Sequence, residues 1–173
     1  MTPMASQPYD AREVANFLLD LADEQNVDLS QVSLLKILYF CHGWYLLVND
    51  IKLIKNDFEA WEYGPVVRVV RDEFKKFGSR KIQERARKLN IYTGERVIAD
   101  SNLAESDKRF VKSVFVTYYN YSAWKLSDLT HEPGSPWDKL WNSKEPVARL
   151  GLRIRDEEIK RHFELIAARN RVS

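Results

Sequence analysis

The spacing of apolar and polar residues predicts helices along most of this chain. Asp10 followed by Glu13 has the pattern of a capping box, in which a carboxylate and the residue three positions later close the start of a helix. Apolar residues then recur at helical spacing as far as Leu21. These positions predict a first helix that ends at about residue 25.

The next segment is apolar around nearly its whole circumference. It starts at Ser30, and residues 34–47 carry only a few polar interruptions, such as Lys36 and His42. A helix that is apolar on all sides is buried on all sides, so the pattern predicts a central core helix over about residues 33–48. Gly43 costs such a helix about 1 kcal/mol relative to Ala, and we therefore expect a neighbouring element to approach closely there. The run falls short of the ~20 residues that span a bilayer, so no membrane partner is expected.

The elements of the rest of the chain, from residue 51 onward, are predicted less clearly. Residues 51–60 look extended, Pro65 suits the first position of a third helix, and Gly78 suits its end. Residues 79–102 form either a helix over 81–89 or a hairpin that turns near Thr93 and Gly94, and we interpret them as an exposed excursion. Further helices are expected over about 104–119, in short segments after Ser122 and Ser135, and from residue 156 onward. The predicted fold is mainly α, a compact helical domain over residues 1–173 with a loose tail at 1–8 and at most a small β-hairpin.

Composition supports a globular protein. Of the 173 residues, 45% are hydrophobic and 30% are charged, which is typical of a folded domain and not of a disordered chain. The one cysteine, Cys41, excludes an internal disulfide and suits a reducing compartment. No charged segment followed by an apolar stretch marks a signal peptide at the start, so the predicted location is cytoplasmic.

The charge is unevenly distributed. Residues 68–88 contain nine basic and three acidic residues, a net +6 on a chain whose formal net charge is +2. This stretch is either an ordinary solvated helix face or a docking surface for an acidic protein or a nucleic-acid backbone. No DNA-reading or RNA-binding signature accompanies it, which favours a protein partner and disfavours nucleic acid. The candidate partner-binding residues are Arg68, Arg71, Lys75, Arg80, Lys81, Arg85 and Lys88.

Catalytic and metal-binding patterns are weak. Cys41 and His42 are adjacent, so on a helix they point about 100° apart and cannot act on one another. The three histidines and the cysteine lack the spacing of a metal site, and the glycines form no phosphate-binding loop. We therefore expect no catalytic residue, no cofactor and no metal. The alternative that stays open is an enzyme that uses His131 and Glu132 with Glu59 or Glu62.

Two segments, residues 58–67 and 126–137, couple tryptophan to turn-forming glycine and proline. A tryptophan is stable in a fold when its ring packs and its indole N–H finds an acceptor. We interpret Trp61 and Trp137 first as structural residues that set the chain direction before a helix. The roles of Tyr63, His131 and Glu132 are left more open between structure and function.

Three blocks, in order, resemble the Panacea domain, the SocA/GepA-like antitoxin family of bacteria and phages. They are residues 35–46 (LKILYFCHGWYL), 58–67 (FEAWEYGPVV) and 122–137, which contain LSDLTHEPGSPW. Cys41-His42 replaces the small-Gln pair usual in the family, and Arg71 stands where an aromatic residue is common. The similarity assigns the following residues to a shared scaffold: Trp44, Trp61, Tyr63, Gly64, Pro65, Leu126, Thr130, His131, Pro136 and Trp137.

The resemblance implies an antitoxin of a toxin–antitoxin pair that binds its cognate toxin protein directly. It implies no catalytic residue common to the family, and for some members it implies delivery of the toxin to a cellular protease. Specificity is then expected on variable surfaces, here residues 79–102 and the basic stretch before them. A DNA-binding repressor that uses residues 68–88 is the remaining alternative.

Overall fold

The computed structural model describes residues 7–143 and 152–172, which fold mainly as α-helix, as the sequence predicts. The predicted tail falls mostly on residues 1–6, which lie outside the described residues. The helices are α1 (Ala11–Glu24), α2 (Gln31–Asn49), α3 (Arg68–Phe74), α4 (Glu105–Tyr118), α5 (Ala123–Thr130), α6 (Pro136–Trp141) and α7 (Asp156–Val172). The strands are β1 (Phe58–Trp61), β2 (Gly64–Val66), β3 (Arg87–Leu89), β4 (Arg96–Ile98) and β5 (Leu152–Ile154).

Helix α1 begins with the capping box that the sequence predicts. The Asp10 carboxylate accepts the Arg12 backbone N–H at 2.9 Å, and Glu13 accepts the Asp10 N–H at 3.2 Å. These bonds satisfy N–H groups that the first turn of a helix leaves free. The helix ends at Glu24, one residue from the predicted end.

Helix α2 packs against α1, α4, α5 and α7, and every residue from 33 to 43 is buried. A β-carbon placed on Gly43 would lie 2.1 Å from the nearest atom of the Phe163 ring, on α7. The expected close approach at Gly43 is thus confirmed. By length and mean hydropathy (1.2), α2 is the one helix of the described chain that reaches the threshold of a membrane span, and 67% of that window is buried inside the protein.

The prediction of at most a hairpin is wrong, because a three-stranded antiparallel sheet in the order β2-β1-β5 is also present. Pro65 lies in β2, where it faces Ala60 of β1, and α3 begins only at Arg68. Proline is tolerated here because β2 is an edge strand. Gly64 makes the tight turn before it possible, since its φ of 112° is strained for any other residue.

Of the two structures predicted for residues 79–102, the hairpin is present, formed by β3 and β4. The alternative, a helix over 81–89, is wrong. Most of the segment is exposed, but Ile82, Ala86 and Ala99 are buried. The buried carboxamide of Asn16, on α1, donates to the Ala86 and Ala99 carbonyls and accepts the Ala86 N–H at 2.8 Å. The hairpin is therefore hydrogen-bonded to α1 at its base, while the residues of its tip, such as Ile91 and Tyr92, are exposed.

Candidate functional site: the motif cluster and the exposed hairpin

The two tryptophan-containing segments meet in the structure. The Trp137 indole N–H donates to the Trp61 carbonyl at 2.6 Å, and the Ser135 hydroxyl donates to the Thr130 carbonyl at 2.9 Å. The Ser127 hydroxyl donates to the Tyr63 carbonyl at 3.3 Å. These bonds join the β1–β2 turn to α5 and α6. In the same cluster, Nε2 of His131 is buried and has no hydrogen-bond partner among the described residues.

A buried lysine lies beneath the β1–β2 turn. The Lys36 side chain is 1% exposed, and its ammonium donates to the Pro65 carbonyl at 2.9 Å. Burial lowers the pKa of Lys36 from its ordinary value of 10.5 to about 7, because the charged form loses its hydration. Gly64 leaves room for this side chain, since a β-carbon there would lie 2.9 Å from Lys36 Cε and 2.6 Å from Thr130 Oγ1.

The side chains of the alternative enzyme hypothesis interact with different partners. The His131 ring stacks on Trp137, with ring centroids 3.8 Å apart, and burial together with the nearby Lys36 charge lowers the pKa of His131. The Glu132 carboxylate instead contacts Nε2 of His162 at 2.5 Å. Glu59 accepts the indole N–H of Trp61 at 2.8 Å. His131, Glu132 and Glu59 are thus held by separate interactions, and the sequence had not indicated the pairing of Glu132 with His162.

The histidines occupy three separate environments. His42 contacts Asp156 at 2.8 Å, His162 contacts Glu132, and His131 stacks on Trp137. Within residues 7–143 and 152–172, no group of three His, Cys, Asp or Glu side chains is placed to hold a metal.

The other residues assigned to the scaffold lie inside the fold. The Trp44 indole donates to the Tyr118 hydroxyl at 2.9 Å, and its ring meets Phe163 edge-on. Leu126 is 0% exposed, and Pro136 is buried at the first position of α6.

The basic stretch is paired with carboxylates that lie mostly outside it. Arg85 contacts Asp20 and Asp23, both on α1, at 2.9 and 2.6 Å. Arg80 differs, because its guanidinium donates only to the backbone carbonyls of Lys76 and Phe77. The remaining candidates pair as follows: Arg68 with Glu59, Arg71 and Lys75 with Asp72, Lys81 with Asp28, and Lys88 with Glu13. A count along the sequence therefore overstates the free positive charge of this surface.

Exposed apolar side chains concentrate on the β3–β4 hairpin, a feature that sequence reasoning missed. Five of the twelve large apolar side chains that are exposed in the described chain lie within residues 89–98, and we call them the hairpin patch: Leu89, Ile91, Tyr92, Val97 and Ile98. Tyr92 is 92% exposed and Ile91 is 79% exposed. The sequence does show five apolar residues within positions 89–98, which is the signal that could have indicated this surface. These residues are hard to recognise as a group because they lie among charged residues and do not recur at helical spacing.

A second exposed aromatic region lies at the start of α5. Trp124 is 75% exposed and Tyr63 is 56% exposed, and both line a cleft of about 290 Å³ with Ser30 and Ser127. Tryptophan and tyrosine are the residues that most often anchor protein interfaces.

Comparison with known proteins identifies the family of this chain. Residues 34–138 match the family model of the antitoxin SocA-like Panacea domain. The chain therefore belongs to the SocA-like Panacea-domain antitoxin family. It is 37% identical over 165 residues to Antitoxin SocA of Caulobacter vibrioides (strain NA1000 / CB15N), an alignment that covers 94% of this chain and 88% of the relative. A search of solved structures found no match.

Proposed function

We propose that this protein is an antitoxin that neutralises a cognate toxin protein by direct binding and catalyses no reaction. The observation that carries the proposal is the similarity to Antitoxin SocA over 94% of the chain. The arrangement of the motif cluster supports a scaffold role for the shared residues, because Trp137, Ser135 and Ser127 all donate to backbone carbonyls within the same cluster.

The surface also favours a protein partner. Exposed apolar side chains that lie close together often mark interaction sites, and this chain exposes both the five residues of the hairpin patch and the pair Trp124 and Tyr63. Duplex DNA would instead require a row of free cations, whereas most basic residues of the 68–88 stretch already contact carboxylates.

The test of this function starts from the gene that neighbours the one encoding this chain. Its product, expressed alone, should inhibit bacterial growth, and co-expression of this protein should restore growth. The two purified proteins should form a complex that isothermal titration calorimetry detects. If the neighbouring product inhibits growth, and this protein restores growth without binding it, the proposal of direct neutralisation is wrong.

The absence of catalysis has its own test in two single variants, His131→Ala and Cys41→Ala. Cys41 is 0% exposed and burial raises the pKa of its thiol, so a reactive thiolate is disfavoured. We expect each folded variant to rescue growth in proportion to its affinity for the toxin. A folded variant that keeps full affinity and loses rescue would point to a chemical role.

A further inference from the structure

A purely structural role does not explain the buried side chain of Lys36. This residue is 1% exposed, and the structure shows one acceptor for its Nζ, the Pro65 carbonyl at 2.9 Å. A charged ammonium group carries three N–H donors, and Lys36 has no ion pair with a carboxylate among the described residues. The closed structure therefore suits the neutral amine, because burial of an unpaired charge is strongly unfavourable.

The ionisable groups on the elements around Lys36 do not offset its charge. The elements packed against it carry the following groups: Asp128 and His131 at α5, Glu132 and His162, Glu62 in the β1–β2 turn, and Glu59 with Arg68 at β1 and α3. Glu132 contacts His162, and Glu59 contacts Arg68. Asp128 and Glu62 are exposed to solvent. Burial alone accounts for the lowered pKa of Lys36.

The neighbouring His131 is not placed to take up the proton instead. Both ring nitrogens of a protonated histidine are donors, and Nε2 of His131 is buried without a hydrogen-bond partner among the described residues. A proton on this ring would thus leave a buried donor unsatisfied. Burial and the Lys36 charge lower the pKa of His131, whereas the pKa of Lys36 is about 7. Lys36 is therefore the basic group of this cluster that changes its charge around neutral pH.

The β1–β2 turn is the cover that separates Nζ of Lys36 from solvent. Nζ donates to the Pro65 carbonyl, and a β-carbon on Gly64 would lie 3.1 Å from Nζ. Tyr63, the residue before Gly64, is 56% exposed. Strand β2 is at the edge of its sheet and pairs only with β1. An outward movement of this turn would therefore bring water to Nζ and break few ladder hydrogen bonds.

From this geometry we propose that the β1–β2 turn opens when Lys36 binds a proton and closes over the neutral amine. In the open turn the lysine regains its ordinary pKa of 10.5, so opening is favoured increasingly as the pH falls from 10.5 to about 7, and not further below. Tyr63 lines a cleft with Trp124, and the opening changes the shape of that cleft. The inference goes beyond the proposed function, because the movement requires no toxin.

Hydrogen exchange of the Trp137 indole N–H, followed by NMR, measures the opening, because this group donates to the Trp61 carbonyl at the turn. After correction for the intrinsic exchange rate, the equilibrium constant for opening should fall by up to about tenfold per pH unit between about pH 7.5 and 9 and stay constant below about pH 6.5. In Lys36→Met it should not depend on pH. The matched control Lys125→Met removes an exposed lysine of α5 and should behave as the wild type.

Amides in the middle of α2, such as that of Leu38, distinguish local opening from global unfolding. They should stay more protected than the Trp137 indole at every pH, and equal protection would overturn the inference because it assigns the effect to global unfolding. A wild-type opening constant that does not change with pH, or one that changes equally in Lys36→Met, would also overturn it. If Lys36→Met does not fold, NMR titration of the wild type decides. The Lys36 side chain and the Tyr63 ring should titrate with the same midpoint, and different midpoints would overturn the inference.

Discussion

Replacement of Gly43 by alanine should destabilise this protein, although alanine is the better helix former. Gly43 lies in the middle of α2, and its exchange for alanine in an open helix gains about 1 kcal/mol. The added β-carbon would lie 2.1, 2.4 and 2.5 Å from three atoms of the Phe163 ring, whereas carbon atoms in contact are about 3.5–4.0 Å apart. The ring or helix α7 must therefore move by more than 1 Å.

The Phe163 ring has little room to move. It is 0% exposed and contacts the rings of Tyr39, Phe40 and Trp44. Overpacking of a core costs about 1–3 kcal/mol, and the crowding of this ring places Gly43→Ala at the upper end of that range. After the gain in helix propensity, we expect a net loss of about 1–2 kcal/mol in the free energy of unfolding.

The assay is urea and thermal unfolding followed by circular dichroism. For a chain of this length the loss corresponds to a fall in Tm of about 2–8 °C. The control is the double variant Gly43→Ala with Phe163→Leu, in which the smaller side chain leaves space for the new methyl group. In the Phe163→Leu background, Gly43→Ala should be neutral or stabilising by up to about 1 kcal/mol. A rise in Tm for Gly43→Ala alone, or strictly additive effects of the two changes, would refute the reasoning.

Three further changes test other parts of the structure. Trp137→Phe leaves the Trp61 carbonyl without the indole donor and should cost about 1–3 kcal/mol of stability, measured by chemical unfolding; an unchanged curve would contradict the structural role of that bond. The pKa of Lys36 is about 7 in the folded protein and 10.5 ordinarily, so between these values the unfolded chain binds one proton more than the folded chain. The free energy of unfolding therefore rises with pH above 7, by up to about 1.4 kcal/mol per pH unit. Lys36→Met should flatten the part of the stability profile between pH 7 and 8.5 that this lysine supplies, and an identical slope in both proteins would argue against the lowered pKa. Arg85→Glu should lower Tm, because it replaces two ion pairs with repulsion from two carboxylates on α1. Arg80→Glu breaks no carboxylate contact and should leave Tm within about 2 °C of the wild-type value. Equal changes of Tm in the two variants would contradict the assigned pairing.

Local patterns predicted the elements that depend on their own residues. The capping box at Asp10 and the apolar circumference of residues 34–47 depend on spacing within one helix, which a sequence shows directly. The expectation at Gly43 also follows from a local cost, since a glycine in a buried helix needs a neighbour that compensates for it.

The parts that escaped prediction depend on distant segments. Pro65 was placed at a helix start because proline suits that position, but the turn at Gly64 pairs it with β1 instead. The charge of residues 68–88 could not be judged alone, because acids on α1 such as Asp20 and Glu13 come close only after folding. The bonds that join residues 58–67 to residues 126–137 have the same origin, although the shared tryptophan and proline signature had marked both segments as unusual.

The packing of Phe163 against Gly43 also has a consequence for the order in which the protein is made. The two residues are 120 positions apart, and ribosomes add about 5–20 residues per second, so the α7 cover of α2 arrives about 6–24 s after Gly43 is synthesised. Strand β5, which pairs with β1, is delayed in the same way. During this interval the side of α2 that packs on α7 is uncovered and open to chaperones and proteases, although α1, α4 and α5 are made earlier, and this side is protected only when α7 has left the ribosome.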